Sequence, residues 1–228
     1  MKITKKVNKN KFYNILLRDL KKVNFKEQFG VNSSFKWFND PRQFFISLSR
    51  YKFVSKILSG KKNVLEVGCS DGFNSRIVKQ TVDHLDICDV EPDLLENARL
   101  ILNSKWHMNI FHHDFEKKKL TKKYDAIYLL DVLEHINKKK EYGFIKNVIT
   151  SLNDNGIVIV GIPSLEFQKF SRPTKISGHI NCKSGINLKI FLEKFFYNVI
   201  IFSMNDEIVH TGFDKMACYL FAVCFSKK

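Results

Sequence analysis

The sequence has few of the features that mark membrane, secreted or disulfide-linked proteins. Its 228 residues include five cysteines, an odd number with no C-x-x-C pair, so we expect free buried thiols. The most apolar stretch near either end, residues 218–225, is far shorter than the roughly 20 residues of a membrane span. The N-terminus, MKITKK, shows no apolar run with a cleavage site. We therefore expect a cytoplasmic protein without a membrane span.

Acidic residues are scarce in the first part of the chain. Residues 1–62 hold 16 basic and 3 acidic side chains, whereas residues 63–228 hold 22 and 20. A basic arm attracts nucleic acid, an anionic membrane surface or an acidic substrate. No zinc-finger spacing or aromatic RNA-binding motif accompanies the charge. With 44% hydrophobic residues, the composition predicts one folded domain over residues 63–228 that follows a basic, helical N-terminal extension or lid over residues 1–62.

Apolar periodicity divides the chain into helices and strands. Helical spacing covers residues 1–29 and 44–58, with a turn-rich break at 30–41. From residue 63, strands alternate with helices, which predicts a doubly wound parallel α/β sheet. The last two strands are too close together for an intervening helix and should form an antiparallel hairpin. The seven predicted strands span residues 63–67, 84–90, 106–111, 124–130, 157–162, 198–204 and 216–225, and the predicted helices between them span 73–81, 92–102, 140–152 and 185–195.

A glycine-rich loop follows the first predicted strand, in the sequence E-V-G-C-S-D-G of residues 66–72. Gly68 and Gly72 allow a tight turn and a close approach of the backbone to a ligand. Asp89 stands at the tip of the second strand, where a carboxylate can accept hydrogen bonds from ribose hydroxyls. The loop lacks the G-x-G-x-x-G spacing of dinucleotide enzymes. This combination predicts a site for a mononucleoside cofactor.

Four ordered segments resemble the successive motifs of class I S-adenosylmethionine-dependent methyltransferases. They are E-V-G-C-S-D-G, D-V-E-P-D-L-L-E-N-A-R, D-F and Y-D-A-I-Y-L-L-D-V-L-E-H-I, which together cover residues 63 to about 165 closely. The resemblance is strongest to the branch that modifies small molecules and glycans. It implies a Rossmann-like, seven-stranded mixed sheet with a C-terminal antiparallel hairpin, and S-adenosylmethionine as the cofactor.

The resemblance also implies roles for individual residues. The glycine-rich loop would line the methionine and ribose part of the cofactor, with Asp89, or its rival Glu91, on the ribose. An N-terminal lid often covers the cofactor in this family, so Arg50 could pair with the methionine carboxylate. Ser70 departs from the glycine that is usual at its position. The cofactor-binding set implied in this way is Glu66, Gly68, Cys69, Ser70, Gly72, Asp89, Val90, Asp114, Phe115, Asp131, Val132 and Arg50.

Histidines are the candidates for acting on the acceptor. Methyl transfer is an in-line displacement, so the enzyme positions the nucleophile and can remove its proton. His179, in a loop after the fifth strand, and His135, just after the fourth, are the predicted catalytic residues. We expect no metal ion, because the adjacent His112 and His113 should point to opposite faces of a strand end. A metal bridging Asp131 to a distant histidine or aspartate, as in some sugar and catechol methyltransferases of this fold, stays open.

The function implied by the resemblance is methyl transfer to an oxygen or nitrogen of a small or sugar-type acceptor, which can be anionic. The segment after the fourth strand is D-V-L-E rather than the D/N-P-P-Y/F of enzymes that methylate amino groups of nucleic acid bases. The alternatives are an RNA methyltransferase that uses the basic arm, a cofactor-binding protein without catalysis, and a nicotinamide oxidoreductase.

Overall fold

The computed structural model describes residues 29–102, 104–170 and 178–228. The helix predicted for the N-terminal 29 residues lies outside this part of the chain, apart from its last residue. Within the described ranges, no helix combines the length and the apolar character that crossing a bilayer requires.

The described residues form one mixed sheet of eight strands. The strand order is β3-β2-β1-β4-β5-β8-β6-β7. Strands β1 to β5 run parallel, whereas β8 pairs antiparallel with both β5 and β6. The predicted fold class, a doubly wound sheet with a C-terminal antiparallel hairpin, is confirmed. The strands are β1 (Asn63–Val67), β2 (His84–Asp89), β3 (Asn109–His112), β4 (Tyr124–Leu130), β5 (Leu152–Pro163), β6 (Phe196–Asn205), β7 (Ile208–His210) and β8 (Tyr219–Lys227).

Helices cover both faces of the sheet. Successive side chains of the central strands point to opposite faces, and both sets are buried. On one face Leu65 and Ile127 belong to a core cluster with Phe144 and Leu188. On the other face, Tyr51 and Val54 of the helix Pro41–Ile57 and the following residue, Leu58, belong to a second cluster. The helices are α1 (Val31–Asn39), α2 (Pro41–Ile57), α3 (Ser75–Lys79), α4 (Pro92–Ile101), α5 (Glu141–Ile149), α6 (Leu165–Gln168) and α7 (Gly185–Leu192).

Three differences from the sequence prediction bear most on the fold. An eighth strand, the three-residue β7, pairs with the end of β6 across a tight turn, so that His210 lies in a strand and is half-buried. Residues 31–39 form a helix where we expected a turn-rich break. Strand β5 begins at Leu152, the last residue of the predicted helix, five positions before the predicted start of the strand at residue 157. Each difference depends on pairing or packing with distant residues.

Helix α1 is fastened to the glycine-rich loop through Asp71, which is 3% exposed. Its carboxylate accepts hydrogen bonds from the Ser33 amide at 2.7 Å and the Ser33 hydroxyl at 3.1 Å. A side chain at Gly30 would prevent this contact, because its Cβ would lie 2.3 Å from the Asp71 carboxyl carbon. The negative charge also suits the positive end of the helix dipole. The loop after β1 therefore determines where α1 begins.

We predict that Asp71→Ala releases α1. Loss of a buried, charge-assisted acceptor should lower the free energy of unfolding by about 2–4 kcal/mol and speed amide exchange in residues 31–39. Denaturant unfolding and hydrogen exchange measure the two effects. Glu96→Ala, an exposed carboxylate on α4, is the matched control and should change stability by less than about 0.5 kcal/mol. Unchanged exchange in α1 of the Asp71 variant would contradict the prediction.

Candidate active site

The predicted site residues gather at the carboxyl edge of the parallel strands. Ser70 follows β1, Asp89 ends β2 and Asp131 follows β4. The Ser70 amide donates to the Asp89 carboxylate at 2.8 Å, which joins the first two of these segments directly. This edge is where open α/β sheets bind their ligands.

The glycine-rich loop turns through left-handed backbone conformations. Gly68 has a φ of 79° and Gly72 a φ of 66°. A Cβ at Gly68 would lie 2.3 Å from the Val132 methyl group, so this position excludes every larger residue. Ser70 also has a positive φ, 53°, which is uncommon for a residue with a side chain. Its hydroxyl accepts a hydrogen bond from the side-chain amide nitrogen of Asn32 at 2.9 Å, and this bond directs the Ser70 side chain toward α1.

Asp89 is held by backbone amides on both sides. One carboxylate oxygen accepts from Ser70, and the other accepts from Val90 at 2.7 Å and from Glu91 at 3.1 Å. Asp89 is 8% exposed, whereas the neighbouring Val90 is 49% exposed. Glu91 is also exposed. Two carboxylates and an apolar side chain thus stand together at the tip of β2.

Glu66 lies beneath the loop and is 1% exposed. Its two oxygens accept hydrogen bonds from the hydroxyls of Tyr51, at 2.8 Å, and Tyr128, at 2.6 Å. Burial raises the pKa of Glu66 to about 7, against the hydrogen bonds that lower it. Its surroundings suit the predicted role of supporting the loop from below.

Two further members of the predicted cofactor set point into the core. The Cys69 side chain is buried in the same cluster as Tyr51, and the ring of Phe115 packs against Phe144 in the other cluster. The backbone of both residues follows a strand end. Asp114, beside Phe115, is half-buried and forms an ion pair with Lys117 at 3.0 Å.

Arg50 reaches from α2 to the residue after β4. Its guanidinium donates to both oxygens of Asp131, at 2.7 and 3.0 Å, and lies 3.8 Å from the centre of the Tyr219 ring. Burial lowers the pKa of Arg50, but the charges of Asp131, Tyr219 and Glu134 and the hydrogen bond to Asp131 together outweigh burial, so the pKa is raised. The sequence predicted a methionine carboxylate as the partner of Arg50; in this structure the partner is Asp131, which itself has a φ of 57°.

The two predicted catalytic histidines lie close together although 44 positions separate them in the sequence. The ring centres of His135 and His179 lie 5.3 Å apart. Nδ1 of His135 lies 2.8 Å from the Gly178 carbonyl oxygen, and Nδ1 of His179 lies 3.2 Å from the Gln168 side-chain oxygen. Burial lowers the pKa of His179, and the nearby His135 lowers it further.

Glu134 is a site residue that the sequence did not single out, although it stands in the D-V-L-E-H segment. It is fully buried, and its two carboxylate oxygens have no hydrogen-bond partner among the described residues. Ligand atoms of Glu134, His135 and His179 all lie within 4.8 Å of one another. Among the described residues, this group alone has three such side chains that could hold a metal ion. The predicted divergence of His112 and His113 agrees with the structure, since the first is exposed and the second is buried.

A buried ion pair holds the segment that follows His179. Lys183 donates to the Glu141 carboxylate at 2.6 Å, and Asn181 donates to the same oxygen at 2.6 Å. The side chains of Lys183 and Glu141 are 8% and 10% exposed. Through these contacts α5 fixes the loop that carries His179.

A cavity of about 490 Å³ opens between α2, the end of β5 and the hairpin of β6 and β8. Its wall includes Arg50, Asp131, His179 and Tyr219, together with the cations Lys36 and Arg42 and the acids Asp40 and Asp206. The volume is in the range of sites that bind small organic molecules.

Comparison with known proteins gives a consistent family. The family model for a methyltransferase domain matches residues 43–200. The chain is similar to malonyl-[acyl-carrier protein] O-methyltransferase 2 of Ilyobacter polytropus, with 29% identity over 99 residues. That alignment covers 42% of this chain and 38% of the relative, so the chain matches well under half of that protein's length.

Solved structures share the fold at low sequence identity. The methyltransferase domain of a bacterial Hen1 protein, CtHen1-C, matches with a TM-score of 0.65 and 17% identity over 79% of this chain and 98% of that one. The N-methyltransferase NodS from Bradyrhizobium japonicum, solved with S-adenosyl-L-homocysteine, matches with a TM-score of 0.59 and 18% identity over 84% and 90% of the two chains.

We predict that Lys183→Met destabilises the protein by about 3–5 kcal/mol, because it leaves the Glu141 carboxylate buried without its cation. Chemical denaturation measures the change. Lys189→Met removes an exposed partner of Glu193 at 3.8 Å on α7 and should shift stability by less than about 1 kcal/mol. Equal effects of the two substitutions would show that the buried pair is no more important than the exposed one.

Glu66 should make stability depend on pH. In the unfolded chain its pKa is about 4.5, and in the folded chain about 7. Between these values the folded protein keeps a proton that the unfolded chain has lost, so stability falls as pH rises, by about 1.4 kcal/mol per pH unit. The difference in unfolding free energy between wild type and Glu66→Gln, measured from pH 4 to 8, isolates this contribution. A constant difference over that range would contradict it.

Proposed function

The chain belongs to the methyltransferase domain family, and from that premise we propose that it is an S-adenosylmethionine-dependent methyltransferase acting on an oxygen or nitrogen of a small or sugar-type acceptor. The observation that supports this most is the continuity of two sites at one sheet edge. The loop and carboxylates after β1 and β2 suit a nucleoside, and the cavity beyond Asp131 suits a small acceptor. Asp131 and Arg50 stand between them.

The residues at the tip of β2 fit the cofactor that the family implies. A carboxylate has about four lone-pair positions, and backbone amides use three at Asp89. One position is left for a ribose hydroxyl, and Glu91 offers a second carboxylate beside it. Val90 presents an exposed apolar surface for the adenine ring, and Asp114 can accept from its amino group. S-adenosylmethionine, when bound, supplies a sulfonium methyl group as the electrophile.

The chain's own part in the reaction is to bind and orient both molecules. Arg50, whose guanidinium lies over the Tyr219 ring, holds Asp131 at the boundary between the two sites. The predicted lid, residues 1–62, includes α1 and α2, and we propose that α1 closes over the loop through Asp71. Positioning of this kind supplies much of the rate of a bimolecular displacement.

On the acceptor side, His179 and His135 are the proposed catalytic residues. His179 lines the cavity, and the shift in its pKa favours the neutral imidazole. A neutral imidazole with a free Nε2 either takes a proton from the acceptor or binds a cation. The neighbours of His179 favour cation binding, because ligand atoms of Glu134 and His135 lie within 4.8 Å of it.

The size and lining of the cavity support the proposed acceptor class. Its volume of about 490 Å³ accommodates a molecule of sugar or drug size. Its wall contains both basic and acidic side chains, so it is suited to a polar acceptor that carries charge. Two of the similar proteins, the malonyl-[acyl-carrier protein] O-methyltransferase and the N-methyltransferase NodS, are consistent with the proposed choice of oxygen or nitrogen.

The deciding experiment is calorimetric titration of the purified chain with S-adenosylmethionine, S-adenosylhomocysteine and NADH. We expect micromolar binding of the first two and none of NADH, followed by turnover in a screen that begins with sugar nucleotides. Binding of NADH alone, or of none of the three, would overturn the proposal. Turnover on RNA with strong salt dependence would move the acceptor to nucleic acid.

We predict that Asp89→Asn weakens S-adenosylhomocysteine binding by about 1–3 kcal/mol, because a charged acceptor of the ribose hydroxyl is lost. Glu91→Gln is the matched control one position beyond Val90 and should change affinity far less. Calorimetry measures both affinities, and thermal unfolding checks that the loop stays folded. A larger loss in the Glu91 variant would assign the ribose to Glu91 instead.

We predict that His179→Ala lowers turnover at least tenfold while cofactor affinity stays within a factor of about two. His179 contacts the acceptor cavity and lies away from the β1 loop, so the two effects should separate. Steady-state kinetics and S-adenosylhomocysteine titration provide the two readouts. Equal turnover in the variant and wild type would remove His179 from the catalytic residues.

A further inference from the structure

Three potential metal ligands converge at the edge of the cavity. Glu134 and His135 come from the short helical turn after β4, and His179 comes from the segment that precedes α7. Their ligand atoms lie within 4.8 Å of one another. A metal ion with bonds of 2.0–2.2 Å separates two of its ligands by at most about 4.4 Å. Small side-chain rotations therefore suffice to bring all three onto one ion.

Glu134 provides an independent reason to expect a cation here. Its carboxylate is fully buried and lacks any hydrogen bond within the described part of the chain. An isolated buried carboxylate is strongly unfavourable unless a positive charge or donor accompanies it. The nearest guanidinium, that of Arg50, already donates to Asp131. A cation bound between Glu134 and the histidines would satisfy both oxygens.

The hydrogen bonds of the two histidines are those that metal-binding imidazoles make. In each ring Nδ1 has a partner, a backbone carbonyl for His135 and the Gln168 side chain for His179. When Nδ1 donates to such an oxygen, the ring is fixed in the tautomer whose Nε2 carries a free lone pair. Both rings are thus prepared to bind an ion through Nε2.

The backbone also holds the two segments together. The carbonyl oxygen of Glu134 accepts hydrogen bonds from the amides of Ile180 and Asn181, both at 2.9 Å. The buried pair of Lys183 and Glu141 fixes the same loop from its other side. The position of His179 relative to Glu134 is therefore set by backbone contacts that do not require an ion.

From this geometry we propose that Glu134, His135 and His179 bind a divalent transition-metal ion whose open positions face the acceptor cavity. Two imidazoles and one carboxylate favour ions such as Mn²⁺ or Zn²⁺ over Mg²⁺ or Ca²⁺, which prefer oxygen ligands. Three protein ligands leave positions for a substrate oxygen.

The consequence for the reaction, which rests on the proposed function, is that the acceptor atom is a hydroxyl oxygen. The ion lowers the pKa of a hydroxyl bound to it, and the proton leaves to solvent. The oxygen then attacks the methyl carbon, so that a C–O bond forms and the C–S bond breaks with its electron pair remaining on sulfur. His179 then serves as a ligand, and no imidazole has to carry the proton.

The test is titration of the untagged full chain, freed of metal with a chelator, with Mn²⁺ followed by electron paramagnetic resonance. Mn²⁺ is chosen because thiolates bind it weakly. The five cysteines of the chain should therefore not compete for the ion. We expect saturable binding of one ion per chain. Glu134→Gln and His179→Ala should each weaken it at least tenfold, and His84→Ala, an exposed histidine at the other end of β2, should leave it unchanged.

Absence of saturable binding, or equal affinity in wild type and Glu134→Gln, would overturn the metal site. Glu134→Gln conserves shape, and His179→Ala in the loop gives a second variant; thermal unfolding and S-adenosylhomocysteine binding confirm that each is folded. These readouts are separate. Cofactor binding without Mn²⁺ binding refutes the metal site alone, whereas Mn²⁺ binding without cofactor binding refutes the proposed function alone.

Discussion

Burial of carboxylates at the carboxyl edge of the sheet is the constraint on which the site depends. Four of the buried carboxylates there are stabilised by different partners. Tyrosine hydroxyls hold Glu66, the start of α1 holds Asp71, loop amides hold Asp89 and Lys183 holds Glu141. Every one of these bonds joins two segments that are distant in sequence or sets a turn. The carboxylates therefore hold the loops of the site in place through these hydrogen bonds. Glu134 is the buried carboxylate at this edge whose oxygens have no hydrogen-bond partner in the described part of the chain.

The elements that the sequence predicts well are those whose residues pack on the sheet directly. The apolar runs of β1, β2 and β4 and the helical spacing of α2 and α4 agree with the structure to within a few residues. Helix α1 was missed because the partners of its first turn, Asp71 and Asn97, lie far away in the sequence. Strand β7 was missed because three residues carry no periodic pattern, and its pairing with β6 decides its conformation.

The site was predictable as a set of segments and much less as a set of contacts. Motif spacing placed Ser70, Asp89 and Asp131 at one edge, and the structure agrees. Which way each side chain points depends on packing, so the burial of Cys69 and of the Phe115 ring could not be predicted from the motif. The partner of Arg50 depends on the distance between α2 and β4, a tertiary quantity. The roles assigned to these residues toward a cofactor remain predictions.

The charges around Asp131 show why a cation suits this edge. Burial raises the pKa of Glu134 well above its usual range, and the Asp131 charge raises it further, while Arg50 opposes the shift. The charges of Asp131 and Arg50 neutralise each other. An ionised Glu134 would therefore be an uncompensated negative charge in a buried part of the site. Two ways remain to remove that charge: a proton on Glu134 or a cation beside it. A proton leaves the paired imidazoles of His135 and His179 unexplained, because each is oriented by its own hydrogen bond with Nε2 free. A divalent ion accounts for all three side chains at once, and its remaining positive charge would favour an oxygen nucleophile in its ionised form.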